Sequence, residues 1–205
     1  MLELKKLSKR LGSHWALDEC SLAVSRGERL AIGGANGAGK STLLQLLANV
    51  LTPDRGQLLL DGKPLYGPGR PHSVGYVPEA ADPPGHLTVA ELLHFVAAVK
   101  GCSAATMESL EPLKLQELMG QRIAELSLGQ RRRACLAAAF TGDPEILLLD
   151  EPTNGLDPAS IEALGALLAS PVDDRILICA THDLDFARSI ETRHLTMADG
   201  KIAPD

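Results

Sequence analysis

Eight residues, Gly34-Ala35-Asn36-Gly37-Ala38-Gly39-Lys40-Ser41, constrain this chain more than any other feature. Gly34, Gly37 and Gly39 let the backbone curl through conformations that a Cβ disfavours. The apolar run Leu30 to Ile32 precedes the stretch, and Leu43, Leu46, Leu47, Val50 and Leu51 follow it at one-face helical spacing. The pattern predicts a strand, a tight loop and a helix starting near Lys40. Further apolar runs at Leu58 to Leu60, Ile146 to Leu149 and Ile176 to Ala180 read as strands buried on both faces of a mainly parallel sheet. Helical patterns lie between them. Thr88 and Glu91 form a T-x-x-E capping box, and Asp157-Pro158 reads as an N-cap followed by proline at the first helical position.

These patterns imply an α/β fold, a mainly parallel sheet flanked by helices. Leu2 to Leu4 and Leu22 to Val24 are expected to form an antiparallel β edge layer. The stretch from about 83 to 135 is expected to be a small helical subdomain. At 205 residues, one domain spanning 1–205 is expected.

The glycine-rich stretch fits G-x-x-x-x-G-K-[ST] in the strand-loop-helix context that the P-loop NTPase motif requires. Its amides and the positive end of the following helix suit phosphate, so Gly34 to Ser41 and Thr42 are the expected binding residues for a nucleotide's phosphates. Lys40 is placed on the β and γ phosphates, and Ser41 on Mg²⁺. A second strand ends in Asp150-Glu151, at the carboxyl edge where open α/β sheets hold ligands. Asp150 is expected to support Mg²⁺, and Glu151 to polarise the water that attacks the γ phosphate.

The bulk properties exclude several classes. The net charge is −6, and Arg131, Arg132 and Arg133 form the tight basic cluster, read as a partly solvated helix face, so nucleic acid is not an expected partner. Cys20, Cys102, Cys135 and Cys179 show no zinc-ligand spacing and read as reduced cytosolic thiols. No apolar run reaches the roughly 18–20 residues that span a bilayer, and no secretory signal is read at the N-terminus, so a transport role requires another chain for the channel.

Taken together, these residues resemble the ATP-binding cassette family, the nucleotide-hydrolysing subunits of ABC transporters. Leu126-Ser127-Leu128-Gly129-Gln130 resembles the LSGGQ signature, Asn154-Gly155-Leu156-Asp157 the D-loop, and His182 the switch histidine. The resemblance implies a head-to-tail dimer, homomeric or heteromeric, in which Ser127, Leu128, Gly129 and Gln130 meet the other protomer's ATP and Asp157 serves the D-loop. It implies His182 as a catalytic contact to the γ phosphate, an integral membrane transporter subunit as partner, and a peripheral place on the cytoplasmic face of the membrane.

Glu79 stands where the family usually has glutamine and is expected to act in catalysis and at the metal. Glutamate here, with Leu87-Thr88-Val89, resembles ABC-2 type exporters and implies export. Leu128 replaces a usual glycine, and Leu11 occupies the place of an adenine-stacking aromatic, with His14 or Trp15 as substitutes. The alternatives are a soluble cassette acting on nucleic acid or ribosomes, and a cassette that binds without hydrolysing.

Overall fold

The computed structural model describes residues 1–66, 74–102, 108–169 and 174–203. The strands are β1 (Leu2–Leu11), β2 (His14–Val24), β3 (Arg29–Gly33), β4 (Arg55–Leu60), β5 (Lys63–Pro64), β6 (Val74–Val77), β7 (Ile146–Asp150), β8 (Ile176–Ala180), β9 (Arg193–Ala198) and β10 (Lys201–Ile202). The helices are α1 (Lys40–Leu47), α2 (Val89–Lys100), α3 (Leu128–Phe140), α4 (Pro158–Leu168) and α5 (Leu184–Ser189).

The six-stranded sheet runs β10-β9-β3-β8-β7-β6. Its pairings from β9 through β6 are all parallel, and β10 closes the edge antiparallel to β9. Every residue of β7 and β8 is buried. That is the signature of strands covered by helices on both sides, and it explains why they are continuous apolar runs. One cluster of side chains, including Leu43, Leu46, Leu148 and Ile178, packs on one face of this sheet. A second, including Leu93, Leu136, Leu147, Leu164 and Cys179, packs on the other. Parallel order places the carboxyl ends of β3, β8, β7 and β6 side by side, and the site is built there.

The second sheet is antiparallel and four-stranded, in the order β2-β1-β4-β5. It contains the expected edge strands, longer than the sequence suggested. It also contains Leu58 to Leu60, which the sequence assigns to the parallel sheet. Leu58 and Leu60 are buried while Leu59 between them is partly exposed, so this run alternates, and its likeness to a two-face core strand is a coincidence of composition.

The helix after the glycine loop is shorter than the apolar spacing predicts. It ends at Leu47, Asn49 turns to φ 57°, and Val50 lies exposed beyond it. Asparagine tolerates the left-handed conformation that terminates a helix. The described part of 83–135 carries α2, three short 3-10 turns (Glu108–Leu113, Gln116–Leu118, Ile123–Glu125) and the start of α3, with one isolated antiparallel bridge, Thr88 to Arg122. The Thr88–Glu91 capping box closes as expected. The second half of α3 runs under β6, where a Cβ on Gly75 would lie 2.2 Å from the Ala139 carbonyl oxygen.

Candidate functional site

The loop from β3 to α1 is shaped by contacts that exclude side chains. Gly34 has φ 134°, and a Cβ there would sit 2.2 Å from the Met197 carbonyl oxygen. Gly39 has φ 103°, with the Ala16 carbonyl oxygen 2.5 Å from the equivalent position. Both glycines are therefore required by close backbone approach as well as by φ. Gly39 precedes α1 without any side-chain cap, and no acidic residue stands in the first helical turn. The leading amides of α1 lack intrahelical acceptors by geometry and carry the positive end of the helix dipole, an arrangement suited to an anion. Lys40 is buried, and its Nζ donates to the Gly34 and Ala35 carbonyls at 2.7 and 3.1 Å. Its charge is thus held directly over the loop.

At the end of β7, Asp150 is 3% exposed and accepts a hydrogen bond from Ser41. Burial raises its carboxyl above the ordinary carboxylate value, and the charges of Glu79 and Glu151 add to this, against the Ser41 hydrogen bond and the field of Arg132. Glu151 adopts φ 46°, in the left-handed region. One of its carboxylate oxygens accepts from Thr181 Oγ1 and from the His182 backbone N–H, each at 3.3 Å, while the other lies 3.4 Å from His182 Nε2. The carboxylate is therefore oriented by the residues directly after β8.

These groups share one cleft of about 880 Å³, lined by Asn36, Gly37, Gly39, Lys40, Ser41, Thr42, Glu79, Asp150, Glu151 and His182, with Leu11, His14 and Ala16 on the β1–β2 side. Gly34, Ala35 and Ala38 form the turn itself, braced by the bond from Ala38 N–H to the Ala35 carbonyl at 3.1 Å. Oxygen donors from a serine and carboxylates match the hard-cation chemistry of magnesium. Among the described residues no group of three or more His, Cys, Asp or Glu is arranged to hold a metal alone. Ser41, Asp150 and Glu79 are the oxygen donors of the cleft that could hold such an ion, with phosphate and water completing its shell.

The signature residues lie outside that cleft. Ser127 caps α3: its Oγ accepts from Gln130 N–H at 3.2 Å, and Gln130 Oε1 accepts from Ser127 N–H at 2.9 Å. Leu128 is 69% exposed. Gly129 faces the D-loop so closely that a Cβ would meet the Gly155 carbonyl oxygen at 2.7 Å, and a Cβ on Gly155 would meet the Leu128 side chain at 2.8 Å. Asp157 caps α4 through Ser160 N–H at 2.8 Å, and that bond holds its carboxyl below the usual value.

Two readings change. Trp15 does not line the cleft; Arg10 and Arg55 lie over its ring with their guanidinium carbons 5.4 and 5.2 Å from the centroid. It alternates with His14 and Ala16 along β2 and so faces away from them. Arg132 is no part of a solvated face: it is 5% exposed and reaches the backbone where β6 and β7 end. Helical spacing carried the signal, since Arg132, Leu136 and Ala139 fall on one buried stripe of α3.

Residues 17–154 match the family described as ABC transporter. The chain is 38% identical over 94% of its length to a "Putative ABC transporter ATP-binding protein" of Streptomyces avermitilis, covering 76% of that protein. It is 35% identical over 99% of its length to "Nod factor export ATP-binding protein I" of Cupriavidus pinatubonensis, covering 65%. A "Spermidine/putrescine import ATP-binding protein" of Methylococcus capsulatus is 35% identical over 97% of the chain, which covers 54% of it. Among solved structures, a bacterial ABC transporter cassette solved as a dimer superposes with a TM-score of 0.89 at 26% identity, over 100% of this chain and 97% of that one. The same cassette, with the same figures, is known in a post-hydrolysis state bound to ADP and Pi. With the phosphate loop and the Asp150–Glu151 strand end in one cleft, the chain belongs to the ABC transporter family, as one of its ATP-binding, ATP-hydrolysing cassettes.

Proposed function

We propose that this cassette works as half of a head-to-tail pair, uses Mg-ATP, and powers a membrane transporter formed by another polypeptide. The observation that carries the reading is that Lys40, Ser41, Glu79, Asp150, Glu151 and His182 line one cleft at the uncapped start of α1 while Ser127 and Gly129 lie outside it. A second protomer's signature would complete the phosphate site, with its serine hydroxyl and helix N-terminus turned to the γ phosphate.

In this reading Lys40 and the loop amides of Gly34 to Thr42 bind the β and γ phosphates. Glu151, steadied by Thr181 and His182, draws a proton from the attacking water. Ser41, Asp150 and Glu79 would hold magnesium, which would supply neutralisation of the phosphates' negative charge when bound. Asp157 keeps the D-loop seated on α4 beside the paired signature. The helical stretch 83–135 within the single domain is where we place the membrane partner. There α2 exposes Phe95 and Val99 beside a cleft lined by Tyr76, Val77, Leu92 and Val96. Among the described residues no helix is long and apolar enough to cross a membrane. Relatives named for export and for import stand at the same 35% identity. Export is the direction we favour, on the exporter-like Glu79 and Leu87-Thr88-Val89.

Phosphate release from the purified chain tests the reading. Lys40→Ala should lower it at least about 100-fold, and Glu151→Gln should both stop turnover and run as a dimer with saturating Mg-ATP. A Glu151→Gln protein that binds ATP yet stays monomeric would overturn the paired mechanism.

A further inference from the structure

We infer that Arg132 is a positioning residue for ATP hydrolysis: it ties the signature helix α3 to the backbone that presents Glu79, Asp150 and Glu151. The inference rests on the hydrolytic reading above and adds a residue that neither the phosphate loop nor the signature contains.

A guanidinium offers five N–H groups in one planar fork, one on Nε and two on each terminal nitrogen. In Arg132 each meets a carbonyl. Nε donates to Pro152 at 3.4 Å, and Nη1 donates to Pro78 at 2.7 Å and to Glu79 at 3.2 Å. Nη2 donates to Glu151 at 2.7 Å and also to Asp150. The acceptors come from the end of β6 and the end of β7, strands that neighbour each other in the sheet. Lysine, with three hydrogens on a single nitrogen, cannot copy this set.

Two further observations give the contact its importance. Arg132 is 5% exposed, and a buried cation with unmet donors is strongly destabilising, so the site is built for this side chain. Glu151 holds a left-handed backbone that L-residues avoid, and it is anchored on both sides: its N–H donates to the Ala180 carbonyl at 2.8 Å, and its carbonyl accepts from Arg132. Such conformations persist where the surroundings over-determine them. Arg132 also lies on α3 less than two turns after Ser127, so the helix that would meet a partner's nucleotide is hydrogen-bonded to this protomer's own carboxylate backbone.

The test uses the full chain with Arg132→Lys and Arg132→Gln, and Arg131→Gln as control, since Arg131 pairs instead with exposed Asp82 at 3.5 Å. Both Arg132 variants should lower kcat at least about 10-fold while KM for ATP moves less than about 3-fold, and the control should stay within about 2-fold. Without nucleotide, amide exchange at 79–81 and 153–156 should quicken at least about 10-fold in Arg132→Gln, with β3 and β8 unchanged. Folded variants with kcat within about 2-fold of the parent overturn the inference, as does exchange that quickens equally across the whole sheet. If the parent chain releases no phosphate, the hydrolytic reading fails, and the exchange pattern still decides whether Arg132 positions these loops.

Discussion

In the six-stranded sheet β7 and β8 are buried at every position, and the β6–β7, β7–β8 and β3–β8 pairings keep register throughout. In the four-stranded sheet the pairings of β1 with β2 and with β4 both carry register shifts, and exposed and buried positions mix along every long strand. The consequence is a division of labour. Unbroken parallel register brings the ends of neighbouring strands to one level, so Glu79, Asp150 and His182 arrive together beside the loop after β3. The bulged antiparallel layer tolerates charge and irregularity, and it gives the cleft only a rim of Leu11, His14 and Ala16.

This contrast can be broken by measurement. Leu148→Ala, at a fully buried parallel-strand position, should cost about 3 kcal/mol in urea unfolding, against about 1 kcal/mol for Leu22→Ala, which is partly exposed on β2. Equal losses would show that the two layers are held alike.

A smaller effect has the opposite sign. Burial raises the Asp150 carboxyl in the native state, so ionised Asp150 weakens the fold at neutral pH, and stability rises as pH falls through its native value toward the unfolded one. Asp150→Asn should therefore raise the nucleotide-free unfolding temperature at pH 7 by about 2–4 °C, while removing that part of the pH dependence. A lower unfolding temperature would mean that the strand end is optimised for stability.

The smallest effect sharpens the role of the rim. Leu11→Ala should raise KM for ATP about 3-fold through lost apolar contact with the base, and Trp15→Ala should leave it unchanged. The reverse result would return Trp15 to nucleotide binding.

What could be read from the sequence was whatever local chemistry dictates. Gly34 and Gly39 occupy backbone geometry closed to other residues, and Thr88 and Asp157 cap helices through their own neighbours, so each is legible within a few residues. Leu58 to Leu60 were not, because three leucines in a row look alike whether one face or two are covered, and only pairing with β1 decides. Helical spacing puts Arg132 on the buried stripe of α3, but it does not reveal what the guanidinium meets. Its acceptors lie on two other strands, and a run of arginines reads as surface until the carbonyls that meet it are located. The direction in which Trp15 points depended on the register of β1 and β2.

The packing of the signature against the D-loop sets an order on how this chain can change. Leu128 rests where a methyl group on Gly155 would collide with it, and Gly129 abuts the carbonyl of that same glycine. Alanine at 155 would be strained by φ 78° and would also force the exposed Leu128 side chain aside, whereas glycine at 155 leaves room for leucine at 128 while 129 stays locked against a backbone carbonyl. Such dependence of one position on another is epistasis written in van der Waals radii, and introducing Gly155→Ala before and after Leu128→Gly would reveal it as unequal penalties.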